Sequence, residues 1–533
     1  MKRVVIYLVI TLGLVLTLSI FSCKGKESSP KEEVKNRQLP NIIYVLADDL
    51  GYGDIQAFNS EGKIKTPHLN RLAEEGMRFT DAHTSSAVCT PTRYGILTGR
   101  YNWRSPLKNG VLTGTSEALI PNDRETVASL LKRNGYHTAY IGKWHLGWNW
   151  AKKDAVKGLG PGWNDTDYEN IDFEAPITNS PNDLGFDYAY GHSGSLDMAP
   201  YVYVENEKVT AQPNRVTVNK SKYGWWRKGP TGADFEHEQV TPHFFEKSYQ
   251  YIQEQAKSEQ PFFLYLPLPS PHTPVLPTEE WQGKSGMNPY ADFMMMIDDY
   301  MGQLVQVIKE AGIEKNTLIV FTSDNGCSPQ ADFEVLAEYG HDPSSIYRGH
   351  KADIYEGGHR VPFIVKWPAL IKAGSVSDKT ICTTDFMATC AAIVEENLLD
   401  SAAEDSFSML PLLKDSNTDG YKREVTIHHS INGSFAIRKG KWKLIFCPGS
   451  GGWSYPKPNS KDIDALPEFQ LYDLEKDPSE TTNLVDSETK VVDELKSLMV
   501  SAIENGRTTP GVNQQNDAPM NGKKWKQIEI FNK

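Results

Sequence analysis

Four short runs of apolar, largely β-branched or aromatic residues each break off in a cluster of polar side chains. This recurrence constrains the fold more than any other feature. Asn41-Ile42-Ile43-Tyr44-Val45-Leu46-Ala47 ends in Asp48-Asp49, and residues 138–141 run into Gly142-Lys143-Trp144-His145. Residues 261–268 run into Ser270-Pro271-His272-Thr273-Pro274, and residues 317–323 end in Asp324-Asn325-Gly326. Near-continuous apolar runs of this length suit strands buried on both faces of a parallel sheet. The intervening segments read as helices. Residues 66–76 open on Thr-Pro and close on Gly, residues 124–135 close on Gly, and residues 290–312 are long and amphipathic. Such alternation predicts a large α/β/α sandwich on a mixed, mainly parallel sheet. In such sheets ligands gather beyond the carboxyl ends of the strands.

The polar strand ends have a definite chemistry. Asp48, Asp49, Asp324 and Asn325 offer oxygen ligands, with no thiolate or imidazole adjacent to either pair. Hard oxygen donors favour Ca²⁺ or Mg²⁺ over Zn²⁺. A single Asp-Asp pair on its own reads rather as a turn or helix cap. Two such pairs at separate strand ends shift the balance: their carboxylates repel one another, and a divalent cation relieves that repulsion.

The N-terminus says where the chain goes. Lys2 and Arg3 precede an almost purely apolar run from Val4 to Phe21, followed by Ser22 and Cys23. This is the layout of a secretory signal, and Ile20-Phe21-Ser22-Cys23 resembles a bacterial lipobox. On that reading residues 1–22 are removed, Cys23 carries lipid, and residues 23–39 are a hydrophilic tether. The protein is then an exported lipoprotein held at a membrane through Cys23. A retained membrane anchor is the competing reading of the apolar run. Cleavage removes Lys2 and Arg3 from the 56 basic residues, so 54 face 68 acidic ones, a net −14. An acidic chain without basic patches argues against nucleic-acid binding.

Cys89 opens a helix-like segment, Cys89-Thr90-Pro91-Thr92-Arg93, that continues to Leu97-Thr98-Gly99-Arg100. A thiol at a helix start beside a guanidinium is expected to have a lowered pKa; most isolated cysteines are instead buried and structural. These residues match the Cys-x-Pro-x-Arg signature of the type I, formylglycine-dependent sulfatases. The second signature of that family is present as Gly142-Lys143-Trp144-His145-Leu146-Gly147. So are Asp48-Asp49-Leu50-Gly51-Tyr52-Gly53-Asp54 and the stretch from Lys351 through Glu356-Gly357-Gly358-His359-Arg360-Val361-Pro362. The likeness runs from about Pro40 almost to the C-terminus.

The resemblance implies an alkaline phosphatase-like fold and a catalytic set. Cys89 is oxidised by a separate maturation enzyme to formylglycine, whose hydrated aldehyde is the nucleophile. Asp48, Asp49, Asp324 and Asn325 bind Ca²⁺ together with the modified Cys89. Arg93 orients the formylglycine, and Lys143 and Lys351 hold the sulfate. His272, helped by Lys351, is the general acid, and His145 takes a proton from the hydrate and expels sulfate. The implied substrate is a sulfated carbohydrate, with algal polysaccharides such as ulvan among the candidates. A phosphodiesterase or phosphonate hydrolase of the same superfamily is the enzymatic alternative. An inactive protein that binds sulfated glycans at the cell surface is the non-enzymatic one.

Between the second signature and His272 lies a stretch rich in Gly, Asn, Asp and aromatic residues. His192, Ser193 and Asp197, in a glycine-rich turn, are the candidate substrate contacts, against a loop-capping role. Trp148, Trp150, Trp225 and Trp226 divide between sugar stacking and core filling. His68, His83, His137, His428 and His429 read as core or turn histidines, although the last two sit at the start of the C-terminal part and could reach the site. The catalytic domain is expected over residues 40–410. A smaller subdomain of antiparallel strands and a helix follows over residues 411–533. Cys327, Cys382, Cys390 and Cys447 allow at most two disulfides, whose pairing the sequence leaves open.

Overall fold

The computed structural model describes residues 39–533 except Asn417 and Lys533. The signal, the tether and Cys23 lie outside the described residues. The four polar-ended runs are strands: β1 (Asn41–Asp48), β2 (His137–Lys143), β3 (Phe262–Pro271) and β4 (Thr317–Ser323). Apart from half-buried Asn41 and His137, every one of their residues is buried. That explains the absence of polar alternation in their sequences.

They occupy the centre of a ten-stranded sheet in the order β4-β1-β3-β2. β1 pairs in parallel with β3 and β4, and β2 pairs in parallel with β3 and with Tyr188–His192. Phe363–Lys366 adds antiparallel to β4, and the far edge ends in the antiparallel strands Val204–Glu205 and Lys208–Val209. The sheet is therefore mixed, with a parallel centre whose carboxyl ends share one edge. The β1–β3 register shifts between Leu46 and Asp48, a bulge of the kind found beside active sites.

Helices form a layer on each face. Pro67–Glu75, Val240–Gln255 and Pro289–Glu310 pack together on one side; α1 (Cys89–Thr98), Val127–Arg133 and Phe386–Val394 do so on the other. Phe386 meets Tyr44 at 4.5 Å and Phe263 at 5.9 Å between ring centroids, which seats its helix on the sheet. The helix expected over residues 124–135 begins later, at Val127. Thr126 is its N-cap and accepts a hydrogen bond from the Ser129 N–H.

A second, four-stranded antiparallel sheet is built from Thr426–His429, Phe435–Lys439, Trp442–Ile445 and Gln470–Asp473, with helix Thr489–Glu504 packed on it. It is joined to the first by backbone bonds: the Ala87 N–H donates to the His429 carbonyl, and the His429 N–H to that of Ser85. The five described cysteines are all free and buried, so no disulfide forms among them. Cys327 instead donates its thiol hydrogen to the Tyr290 hydroxyl at 3.2 Å. No helix among the described residues is long and apolar enough to cross a membrane.

Candidate active site

Parallel pairing brings the four strand ends to one place. Asp48 closes β1, and Asp49 follows it; Lys143 closes β2; His272 follows β3; Asp324 and Asn325 follow β4. Cys89 is the first residue of α1, with Arg93 one turn on, and Lys351 arrives on the loop before the turn Glu356–His359. All are buried except His272, whose side chain is 12% exposed. The backbone is strained at this point. Asp49, His145 and Ala352, beside Lys351, have φ of +65°, +54° and +79°, values that cost non-glycine residues on the order of 1 kcal/mol or more. Gly142 is required for another reason. A Cβ there would lie 2.0 Å from the Pro267 carbonyl oxygen, where β2 passes β3 before Lys143.

Charge organises the cluster. Arg93 donates to Asp324 Oδ2 through Nε at 3.0 Å and Nη2 at 2.8 Å, and to the Lys143 carbonyl at 2.9 Å. Its Nη2 is also 3.4 Å from Asp48 Oδ2, an oxygen paired with Lys143 Nζ. Lys351 Nζ is 2.6 Å from Asp49 Oδ1, and Asn325 Nδ2 donates to the same oxygen at 2.7 Å. Burial pushes the Asp324 carboxyl up, and the neighbouring Asp48 adds to this. For Asp48, burial is outweighed by Lys143, His272, Arg93 and Lys351, which hold its carboxyl below the usual range. Burial also opposes the charge on Lys351, but Asp49, Cys89 and Asp48 raise its pKa.

Three atoms are left without partners although buried: Asp48 Oδ1, Asn325 Oδ1 and His145 Nδ1. Ligand atoms of Asp48, Cys89 and Asp324 lie within 4.8 Å of one another, as do those of Asp48, Asp49 and His272. Three carboxylates, an unpaired amide oxygen and an unpaired carboxylate oxygen in one buried spot fit a hard divalent cation. His145 is fixed as a neutral base. Its Nε2 lies 2.8 Å from the Leu112 carbonyl and must carry the hydrogen, so Nδ1 keeps its lone pair. Burial, with Lys143 and Arg93 nearby, holds this imidazole well below its usual pKa. Burial and Lys351 lower the pKa of His272 as well, against Asp49 and Asp48.

The expectation of a lowered Cys89 pKa is not met. Burial raises it, with Asp48 and Asp324 adding to the effect, and Lys143 and Lys351 offset this only in part. The helix start is enclosed, and desolvation outweighs its dipole. As a thiol, Cys89 is a poor nucleophile.

His192, Ser193 and Asp197 lie together on the turn after Tyr188–His192, each over nine-tenths buried. His192 Nε2, Ser193 Oγ and Asp197 Oδ1 lack partners. His192 Nδ1 donates to the Gly194 carbonyl at 3.0 Å, and burial, then Lys143, bring its pKa down to about 3. The turn also supplies a residue that the motifs did not single out. Ser195 Oγ accepts from Lys143 Nζ at 3.1 Å and sits 3.3 Å from His272 Nδ1. Thr90 is another, donating its hydroxyl to the His145 carbonyl at 2.9 Å. Trp148 and Trp150 are core residues, an edge-to-face pair 5.5 Å apart. His83 and His428 meet in a separate buried network, and His137 pairs with the Tyr251 hydroxyl at 2.9 Å. A cavity of about 1080 Å³ lined by Tyr94, Arg124, Arg133 and Glu396 holds none of the strand-end residues, so size does not mark this site.

An α/β/α hydrolase fold with oxygen ligands, lysines and histidines at its strand ends defines the class, and comparison with known proteins narrows it. The family model described as Sulfatase matches residues 40–395, and that for the C-terminal part of N-sulphoglucosamine sulphohydrolase matches residues 349–505. An N-acetylgalactosamine-6-O-sulfatase of Bacteroides thetaiotaomicron is 35% identical over 512 residues, covering 88% of this chain and 94% of its own. Human arylsulfatase A is 30% identical over 457 residues, covering 84% and 83%. A solved chain labelled 6S-sulf, from the metabolism of multiple glycosaminoglycans by the same Bacteroides, has a TM-score of 0.74. It shares 32% identity over 87% of this chain and 99% of its own. The chain belongs to the sulfatase family of the alkaline phosphatase-like fold, and is a sulfuric ester hydrolase.

Proposed function

We propose that this enzyme removes sulfate from a sulfated carbohydrate through a formylglycine made from Cys89. The observation that carries the reading is the buried meeting of Asp48, Asp49, Asp324 and Asn325 with Cys89, Arg93, Lys143 and Lys351. Once oxidised and hydrated, residue 89 supplies two hydroxyls on one carbon, so that one can attack sulfur and the other, once deprotonated, can release sulfate by C–O cleavage. Ca²⁺ would be held by Asp48, Asp49, Asp324, Asn325 and residue 89. It would shift a centre of three carboxylates and three basic side chains to net +2, suited to an anionic ester.

The remaining work falls to this chain's side chains. His145, with Nε2–H held by the Leu112 carbonyl, presents Nδ1 as the base that takes a proton from residue 89. Lys143 and Lys351 bind the sulfate oxygens. His272 gives a proton to the departing sugar oxygen, because an anion bound beside it opposes the burial and Lys351 repulsion that lower its pKa. Arg93, held by Asp324 and the Lys143 carbonyl, fixes the first turn of α1 against the strand ends. His192 Nε2, Ser193 Oγ and Asp197 Oδ1 are free to meet sugar hydroxyls.

A 6-O-sulfated N-acetylgalactosamine is the first substrate to test, because a relative matching 94% of its own length carries that name. Sulfate release is measured on a panel of defined sulfated sugars that includes ulvan fragments. Mass spectrometry of the peptide bearing Cys89, after co-expression with a maturation enzyme, is expected to show the aldehyde. Retention of the thiol together with unchanged turnover would refute the mechanism. Higher efficiency on an aryl phosphodiester than on an aryl sulfate would favour the phosphodiesterase alternative. Residues 1–22 are a lipoprotein signal, Cys23 the lipid attachment point and residues 24–39 a tether before the catalytic part at 40–410 and the C-terminal part at 411–533. Labelled palmitate incorporated by the full chain and lost in Cys23→Ala tests the anchor.

A further inference from the structure

The hairpin Pro213–Asn219 and Trp226–Gly232 stands beside the turn that carries His192 to Asp197. Its Arg227 is tied to that turn, with Nη1 ion-paired to Asp197 Oδ2 and 3.3 Å from the Asp197 carbonyl oxygen. The guanidinium lies between two indole rings, 4.9 Å from the centroid of Trp163 and 4.7 Å from that of Trp225. Both tryptophans are exposed, at 47% and 37%. Two large aromatic surfaces left in water around one cation are costly for stability alone. They are the materials from which carbohydrate subsites are made: a flat apolar face for the ring and a planar donor for its charge.

Two features aim this group at the substrate. Asp197 is two residues from Ser195, whose Oγ touches Lys143 Nζ at 3.1 Å, and two residues of chain span at most about 7 Å. The platform is therefore anchored two residues along the same turn from the serine that touches Lys143. In addition, only Nη1 of Arg227 has a protein partner among the described residues, so Nε and Nη2 remain as a two-pronged edge matching a carboxylate or sulfate.

We propose that Trp163, Arg227 and Trp225 form a second sugar subsite. It takes the unit next to the sulfated one, and that unit bears an anion of its own. This rests on the carbohydrate sulfatase reading. Aryl sulfate turnover tests that reading separately, because an aryl group does not reach the platform.

The experiment compares kcat/KM on a 6-sulfated monosaccharide with three disaccharides whose second unit is a uronate, a sulfated hexose or a neutral hexose. The wild type is expected to prefer an anionic second unit at least about tenfold over the neutral one, and the better of the two anions identifies the group. Trp225→Ala and Trp163→Ala should each remove about tenfold on the disaccharides and leave the monosaccharide and aryl sulfate unchanged. Arg227→Lys, which keeps a charge for Asp197 but loses the planar edge, should erase the preference for an anion while stacking persists. Equal wild-type efficiency on monosaccharide and all disaccharides would overturn the subsite. So would tryptophan variants that depress monosaccharide and disaccharide turnover alike. Loss of aryl sulfate activity in the wild type would instead sink the catalytic reading.

Discussion

The segment from Asp81 to Cys89 joins two buried charge clusters of the same make-up. At its end lies the proposed catalytic centre, where Asp48, Asp49 and Asp324 face Arg93, Lys143 and Lys351, with His145 and His272 beside them. At its start, Asp81, Glu356 and Glu480 face Arg360, Arg438 and Lys443, with His83, His359 and His428 among them. The second cluster pairs each of its carboxylates with a cation. Asp81 Oδ1 is 2.6 Å from Arg360, 2.7 Å from Arg438 and 2.9 Å from His83. Lys443 reaches Glu480 at 2.8 Å and Glu356 at 3.1 Å, and donates to His359 Nε2 at 3.0 Å. His359 Nδ1 and His83 Nδ1 lie 3.0 Å apart, and His83 Nε2 lies 2.9 Å from Asp81 Oδ1 and 3.0 Å from Arg438 Nη1. Nitrogens of the three histidines lie within 4.8 Å of one another, as in a metal site. The His359 and His428 rings, however, stack at 3.9 Å and 8°, so their lone pairs run side by side and do not converge. Equal charge counts thus serve opposite ends. One cluster pairs its carboxylates with cations and fastens the small sheet to the large one, with His428 Nε2 left unbonded; the other leaves two metal-facing oxygens, Asp48 Oδ1 and Asn325 Oδ1, and His145 Nδ1 open for chemistry.

The widest separation between the two is expected from Cys89→Ser. A serine that the maturation enzyme does not oxidise fills the space of the thiol but carries one hydroxyl on its carbon where the mechanism needs two, so turnover should fall on the order of 10⁴-fold or more. Its melting temperature should stay within about 2 °C, because the volume is conserved. Retained turnover, or a large loss of stability, would break the comparison. Lys443→Met is the converse. It strands Glu480 without its cation and leaves Glu356 with Arg360, and should cost about 3–5 kcal/mol of folding stability. Denaturant unfolding reads that loss, and kcat of the folded fraction is expected to stay near that of the wild type. A Lys443 variant of normal stability would remove the network from its fastening role.

Metal addition separates the clusters next. A cation that binds only the folded catalytic centre should raise unfolding free energy by about 2.7 kcal/mol at a hundredfold excess over Kd. Chelation should reverse this, and activity should follow it. Asn325→Ala should reduce the gain, whereas His428→Gln should not. A gain abolished by the His428 change would place the metal in the wrong cluster.

The convergence of Asp48, Lys143, His272 and Asp324 was legible in the sequence because these residues sit at the ends of apolar runs, where a polar side chain has no packing role. Cys89 to Arg100 was legible as a motif. The direction of the Cys89 pKa was not, since it depends on enclosure by strands more than 50 residues away, as the Lys143 and Asp324 contributions illustrate. Ser195 was hidden for a similar reason: nothing local in its glycine-rich turn indicates that Lys143 and His272 converge on it. The second cluster was the least legible. Lys443 lies in a strand between apolar neighbours, and its partners Glu356 and Glu480 come from two distant segments. A lone lysine in a strand looks exposed until tertiary structure buries it.

The smallest expected effect concerns His429, whose strand holds the segment between the clusters through its bridge to Ser86. It is fully buried, donates from Nδ1 to the Ser430 carbonyl at 3.1 Å, and has no partner for Nε2. Burial brings its pKa down to about 4, with the Ser430 hydrogen bond a partial offset, from about 6.5 in an unfolded chain. Between those two values the unfolded chain binds a proton that the folded protein refuses, so stability falls as pH drops through this window and is untouched above it. The loss from this one imidazole amounts to about 2 kcal/mol between pH 7 and pH 5. His429→Gln should flatten the pH dependence of the urea midpoint by that amount while leaving the pH profile of turnover in place, because His429 contacts neither His145 nor His272. Parallel stability profiles for variant and wild type would show that the imidazole is not held neutral. A shifted turnover profile would show that the strand transmits charge into the catalytic centre and does not simply pin the chain beside it.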